Sequence, residues 1–292
     1  MAPTEQSRAE LGAFLRSRRA HLPRAAHGLP PLSRGRTEGL RREEVSYLCG
    51  VSVTWYTWLE QGRPITPSRQ VLDAVARALQ LTTPEHHYLL GLAGYAPVRA
   101  PVQAQRDGVA AAEPAPAHVQ RLLDALGDHP AYALAADWSI TGWNAAYAAL
   151  YPRVAEVEPG ERNLLWLVFT DPGVRALLDD WDVTSRRFLA EFRADTAGRL
   201  GDPRVEALIA RLRAASSEFR QAWDGHPVAG FESRERVFHH PAAGALRLEQ
   251  HQLRPSDRPD LQLVVYTPVD APSSERLSAA RAVGPAPAPP GE

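Results

Sequence analysis

Lysine is absent from this sequence: all 33 of its basic side chains are arginine. That reads as the coding bias of a GC-rich genome, and it supplies planar guanidinium forks suited to phosphate and guanine. There is a single cysteine, Cys49, which excludes an internal disulfide and a cysteine-based zinc site. No apolar run is long enough to span a bilayer. The first ten residues mix acidic, basic and polar side chains, so they do not read as a signal peptide, and the expected location is cytoplasmic with no membrane partner. Also missing are the Gly-x-Ser-x-Gly elbow, the Gly-x-x-x-x-Gly-Lys phosphate loop and the His-Glu-x-x-His zinc motif. The acid pairs Glu43-Glu44 and Asp179-Asp180 are neighbours on helix surfaces rather than facing carboxylates. No catalytic residue, metal ligand or cofactor is therefore assigned.

What remains is substantial. A chain of 292 residues with 44% hydrophobic content can build two cores. Its formal net charge of −1 conceals an asymmetry. Residues 1–99 carry 13 arginines against 8 acids, a formal +5, whereas residues 100–292 carry 20 against 26, a formal −6. Only the front third has the electrostatics to attract a phosphate backbone.

The stretch from Arg42 to Gly62, REEVSYLCGVSVTWYTWLEQG, reads as two short helices around a tight turn. The first covers Glu43 to Cys49. Gly50 stops it, Ser52 offers a capping oxygen, and the second runs from Val53 to Gln61. Val45, Leu48, Cys49, Val51, Tyr56 and Leu59 recur at spacings that pack the pair, with Ser46 small at the crossing. This is the pattern of a helix-turn-helix, whose second helix enters the DNA major groove. The pattern places Arg42 and Glu43 at the start of the first helix, and Ser52, Val53, Thr54, Thr57 and Trp58 at the cap and outer face of the second. These are the candidate contacts to double-stranded DNA. Before them, His21 to Leu40 is rich in Pro, Gly and Arg. Its Arg34 and Arg36 belong either to an arm touching phosphates or the minor groove, or to a solvated loop. Further helices are expected at 10–20, at 68–79 behind a Ser68 cap, and at 85–93. His86-His87 point to different faces of a helix and make no metal pair.

Residues 96–117 are Pro- and Ala-rich and read as a linker. Beyond them, a helix begins near His118. Strands follow at 131–137 and 139–143, then a helix capped by Asn144 and a helical block over 162–223. Three strands close the domain at 231–240, 244–254 and 261–268, and residues 271–292 read as a disordered Pro/Ala tail. The expected sheet has five antiparallel strands with helices against one face. Val237, Leu246, Leu248, Leu263 and Val265 supply its apolar residues. His239-His240 reads as a turn pair with only one ring able to point inward. Large aromatics crowd this half; Trp143, Trp166, Phe169, Phe188, Phe192 and Phe238 are the candidate walls of a ligand cavity, though aromatics at such spacing also build ordinary cores.

The Gly50-Val51-Ser52 turn and the Glu60-Gln61-Gly62 close resemble the Cro/phage-repressor (XRE) type of helix-turn-helix. With GLRREEV ahead of the motif, and WSITGWN and FHHPAAG in the back half, residues 8–270 resemble actinobacterial XRE regulators with an MmyB-like ligand-binding domain. The resemblance implies an all-α, five-helix DNA-binding domain at 8–95 and an α+β, PAS-like ligand-binding domain at 118–270. It also implies an ion pair between Arg19 and Glu60, and a small hydrophobic ligand such as a fatty acid. The expected function is a sequence-specific, ligand-responsive transcriptional regulator. Because one helix-turn-helix reads few base pairs, a homodimer on an inverted repeat is expected. The rival readings are an enzyme or small-molecule carrier built on the second domain, and a protein–protein adaptor.

Overall fold

The computed structural model describes residues 3–30, 39–95 and 113–283. The chain divides into two compact units that do not follow chain order. One comprises Met1–Val98, Leu189–Ile209 and Arg220–Gly230; the other comprises Arg99–Phe188, Ala210–Phe219 and Phe231–Glu292.

The first unit is helical. Its N-terminal segment folds into α1 (Glu5–His21), α2 (Arg42–Cys49), α3 (Val53–Glu60), α4 (Arg69–Ala78) and α5 (Thr83–Leu92). Each start has a chemical cause: the Thr4, Ser52 and Ser68 side chains accept the N–H three residues on, Glu44 accepts the Arg41 N–H at 2.7 Å ahead of α2, and Thr82 with Glu85 forms a capping box. Leu11, Phe14, Leu15, Val45, Tyr56, Leu59, Leu72, Val75 and Leu89 are buried. Part of the Pro- and Gly-rich stretch is also structured: Arg24–His27 is a 3-10 turn, and the Arg24 guanidinium bonds Pro30 O and Glu44. Arg34 and Arg36 lie outside the described residues. Later segments join this unit. They are the Leu189–Thr196 part of α10 (Trp181–Thr196), the Pro203–Ile209 part of α11 (Pro203–Ala215), and the Arg220–Asp224 part of α12 (Ser217–Asp224). The boundaries 8–95 and 118–270 were read along the chain, whereas these units are grouped by packing. Helices placed over the sheet by sequence order contribute half their length to the first unit.

The second unit holds α6 (Ala117–Ala125), β1 (Ala131–Leu134), β2 (Ile140–Trp143), α7 (Ala145–Leu150), α8 (Leu164–Thr170) and α9 (Pro172–Leu177). It also holds β3 (Arg234–His240), β4 (Gly244–Leu253), β5 (Gln262–Pro268) and α13 (Ala271–Val283). The five strands form one antiparallel sheet in the order β2-β1-β5-β4-β3. Register sorts their side chains. Arg236 stands opposite Leu248, Phe238 opposite Leu246, Gln250 opposite Tyr266 and Tyr132 opposite Val264, which puts these residues on one face. Leu263 and Val265 fall on the other face, where they pack with Ala131, Ala133 and the α6 residues Val119 and Leu123.

Three expectations are corrected here. The sheet is covered on both faces, because the period of two turns Leu263 and Val265 away from Leu246 and Leu248. Val237, opposite Arg247, lies on the outer side as well. Third, residues 271–283 are a helix rather than a disordered tail. Pro272 sits in the first turn, where proline costs nothing, Asp270 accepts the Ser273 N–H at 2.8 Å, and Leu277 is buried.

Candidate functional site

The helix-turn-helix is assembled by one buried carboxylate. Gly50 ends α2 at φ 68°, a left-handed conformation that glycine adopts without strain. Ser52 Oγ then accepts the Trp55 N–H at 3.2 Å and starts α3. Tyr56 and Leu59 turn inward against Val45 and Ser46, and all four are buried. At the end of α3, Glu60 has a fully buried side chain. Arg19 Nε donates to its Oε1 at 2.5 Å and Arg19 Nη2 to its Oε2 at 3.1 Å, while Arg42 Nε donates to Oε2 at 2.7 Å. Burial alone would raise the Glu60 carboxyl, but the hydrogen bonds and charges of Arg19 and Arg42 outweigh it and hold it below the usual carboxylate value. Gly12 completes the joint: a Cβ there would lie 2.3 Å from Glu60 O, so α1 passes the end of α3 only because the side chain is missing.

This clamp fixes what α3 presents. Ser52, Val53, Thr54 and Trp58 are exposed, Thr57 is half-buried, and Glu43 is exposed on α2. Arg63 stands over the Trp58 ring at 5.8 Å. Arg42 is not a free groove-reading side chain. Its Nε is committed to Glu60, and its terminal nitrogens make no hydrogen bond among the described residues. Tyr47, 86% exposed, and Leu48 add apolar area beside this surface and were missed as candidates, because helical spacing alone had put Leu48 in the core.

The second site is the inner face of the sheet. Phe188 and Phe238 are brought to it. Phe188 meets Trp138 edge-on at 6.2 Å, and Phe238 meets Tyr266 edge-on at 5.2 Å. Tyr132 packs on Tyr147 at 4.4 Å and on Tyr266 at 6.3 Å. The other candidates are dispersed. Phe169 sits in a separate cluster with Trp181 and Phe219. Trp143 and Trp166 are half-buried beneath Arg162 and Arg211, at 4.8 and 4.3 Å. Phe192 belongs to the first unit.

At this face, sequence reasoning missed polar residues. Buried Arg236 and Gln250 bond each other through Nε and Oε1. Gln262 donates to Gln252 one position along the same face. The signal was present: Arg236 shares its parity with Phe238, so an inward Phe carries Arg inward too. His240 is the inward member of the histidine pair, and its ring is fully used. Nε2 is 2.9 Å from Ala149 O, and Nδ1 accepts the N–H groups of Ala242 and Ala243. His239 is exposed, 2.8 Å from Asp179. Among the described residues no group of three or more His, Cys, Asp or Glu could hold a metal ion.

Comparison with known families now fits both sites. Residues 115–280 match the MmyB-like transcription regulator ligand binding domain, which covers more than half of the chain. The chain belongs to this family. Residues 10–89 match a helix-turn-helix domain. No curated protein matches the chain. This member of the MmyB-like regulators is thus a DNA-binding transcription regulator with a ligand-binding domain. No helix among its described residues is long and apolar enough to cross a membrane.

Proposed function

We propose that the chain is a homodimeric, sequence-specific regulator whose α3 reads the major groove and whose DNA affinity changes when its sheet domain takes up a small hydrophobic ligand such as a fatty acid. The observation that carries the DNA half is the clamp on Glu60. Buried between Arg19 and Arg42, it holds the exposed face of α3, with Ser52, Val53, Thr54, Thr57 and Trp58, in a fixed orientation. In this reading Thr54 and Thr57 supply methyl and hydroxyl contacts to base edges. Arg42 holds α3 through Nε and turns its terminal nitrogens to the DNA, as guanine or phosphate donors. Glu43 borders the same surface, and Arg34 and Arg36 add sequence-independent phosphate contacts. The formal +5 of residues 1–99 supports the same polarity.

The ligand half rests on the aromatic inner face of the sheet, with Phe188 and Phe238 as wall residues and Trp143, Trp166, Phe169 and Phe192 as further candidates. The test is a mobility-shift assay on DNA flanking the coding region, with and without hexadecanoate. The expected result is a retarded complex that resists nonspecific competitor, footprints over two half-sites about one helical turn apart, and changes in affinity with the acid. A complex that random DNA competes away equally well would refute the sequence-specific reading.

A further inference from the structure

Helix α1 is bonded on two opposite faces. Gly12, Arg16 and Arg19 form one stripe, and all three meet Glu60 at the end of α3. Gly12 does so by close approach, Arg16 Nη2 by donating to Glu60 O at 3.1 Å, and Arg19 through the carboxylate. Glu10, Phe14 and Arg18 form the other stripe, which the 3.6-residue turn sets on the far side of the helix. Glu10 accepts from Arg193 Nη1 and Tyr88 Oη, and its Oε1 lies 3.0 Å from His226 Nδ1. Phe14 meets Tyr88 edge-on at 5.1 Å. Arg18 Nη2 donates to His226 O at 2.7 Å, and its Nε pairs with Glu85 at 3.0 Å. The helices that receive these later segments are fitted to them: a Cβ on Gly91 of α5 would lie 2.9 Å from the Ala197 side chain. Arg193, Ala197 and His226 fall within the 115–280 match to the ligand-binding family, yet they pack in the first unit.

From this we infer that His226 is a positioning residue for DNA recognition: with Arg193 it sets the tilt of α3 through α1. The assignment rests on the reading of α3 as the groove-reading helix and goes beyond it by naming what controls that helix. A hydrogen-bonded helix of 17 residues moves as one body, so a displacement at Glu10 or Arg18 is also felt at Glu60. Glu60 is the last residue of α3, whereas Thr54 lies near its start, about 9 Å away along the axis. Tilting α3 by about 6° around Glu60 therefore moves Thr54 by about 1 Å. That takes a base-edge hydrogen bond of about 3 Å out of range. Long arginine side chains on phosphates follow such a shift, because they carry position rather than sequence. Loosening the joint should erode sequence-specific binding and spare nonspecific binding.

The experiment uses the full chain and two variants at one position. His226 has a φ of 49°, a left-handed conformation that glycine and asparagine both adopt readily. His226→Gly and His226→Asn therefore both keep the turn and differ in whether a donor faces Glu10. Kd is measured well below the Tm of each variant, on DNA flanking the coding region and on random DNA, with Tm recorded alongside. His226→Gly should weaken binding to the flanking DNA about tenfold and leave random DNA within about twofold, and His226→Asn should regain most of the loss. Arg18→Met cuts the other bond to His226 and removes nothing bonded to α3 among the described residues. It should act in the same direction, and it replaces His226→Gly if that variant does not fold. A lower Tm with unchanged Kd on the flanking DNA, equal loss on both DNAs, or no recovery in His226→Asn overturns the positioning role and leaves a joint that only stabilises. If the unsubstituted chain shows no preference for the flanking DNA, the groove reading fails, and this assignment with it.

Discussion

Arg193 in the first unit and Arg236 in the second are both more than nine-tenths buried, and they are kept there differently. Arg193 Nη1 donates to Glu10, whose Oε1 also accepts from Tyr88 Oη at 2.8 Å and lies 3.0 Å from His226 Nδ1. Arg193 Nη2 donates to Trp223 O at 2.6 Å, and the guanidinium carbon lies 3.7 Å over the Trp223 ring; only Nε lacks a partner. Arg236 has one amide oxygen and one ring face. A cation closed by a carboxylate, a carbonyl oxygen and a ring face is explained by the fold that contains it. A cation left open is not. The joint also shows what completes the DNA-binding unit: Arg193, Trp223 and His226 come from segments that follow the ligand-binding domain's first strands, yet pack with Glu10 and Tyr88.

The largest expected effect breaks the closed arginine. Glu10→Leu strands Arg193 in the interior and should cost about 3–5 kcal/mol, as should Arg193→Met, because each leaves an uncompensated buried charge. The double variant should recover a large part of the loss. Urea unfolding of the two singles and the double checks this. If the losses simply add, the pair is not acting as one unit. The same region should fail in acid. Burial pushes the Glu10 carboxyl up, but the His226 hydrogen bond and the Arg193 charge outweigh it, so the folded value is lowered; Glu60 is lowered likewise by Arg19 and Arg42. A carboxyl depressed on folding stabilises above its ordinary value of 4.5 and loses that contribution as pH falls through the folded value. Glu10→Gln and Glu60→Gln should each flatten the stability profile below pH 4.5.

The next effect tests the same principle with an uncharged group. Asn144 is buried at the start of α7, and all four of its hydrogen-bonding positions are used. Oδ1 accepts from Ala131 and Tyr147 N–H, and Nδ2 donates to Leu123 and His129 carbonyls. Asn144→Ala leaves four backbone groups to find other partners and should cost about 3 kcal/mol by urea unfolding. A loss near that of a simple cap would mean that water replaces the missing amide.

Asn144 was legible in the sequence as a cap, since Asn before an apolar helical run has a local meaning. Its bonds back to Leu123 and His129 were not, because they depend on α6 lying beside β1. The helix-turn-helix was legible for the same local reason: Gly50, Ser52 and the spacing of Val45, Tyr56 and Leu59 fall within one short stretch. The Arg19–Glu60 pair came from family resemblance, and the structure shows it closed. That Arg42 joins the pair from the start of α2 could be found only by folding. Five antiparallel strands followed from alternation, but their order β2-β1-β5-β4-β3 and which helices cover which face did not. Alternation gives two faces and does not say that α6 takes the second. Arg236 was overlooked because an inward arginine contradicts the alternation used to find strands.

On the DNA side, Thr57→Ala should weaken specific binding by about 1–3 kcal/mol while leaving folding unchanged, because Thr57 borders the exposed face of α3 and holds no clamp contact. Titration of specific and random DNA checks it. Equal loss on both would move Thr57 from base reading to backbone positioning. Arg34→Ala with Arg36→Ala should instead lower affinity on every sequence and reduce the salt slope.

The smallest expected effect returns to capping and sharpens the contrast with Asn144. Ser52 is also an N-cap, but it is exposed, and its Oγ makes one bond to the Trp55 N–H at 3.2 Å. Losing it frees a donor that water can reach, so Ser52→Ala should cost about 1 kcal/mol. Ser52→Asn, which keeps an acceptor, should cost less. The two caps thus have the same local geometry and differ in how many buried groups depend on them, as the two arginines do. If Ser52→Ala costs as much as Asn144→Ala in urea unfolding, the stability of this chain is set by helix starts rather than by closed interior networks. The distinction drawn between Arg193 and Arg236 would then lose its energetic basis.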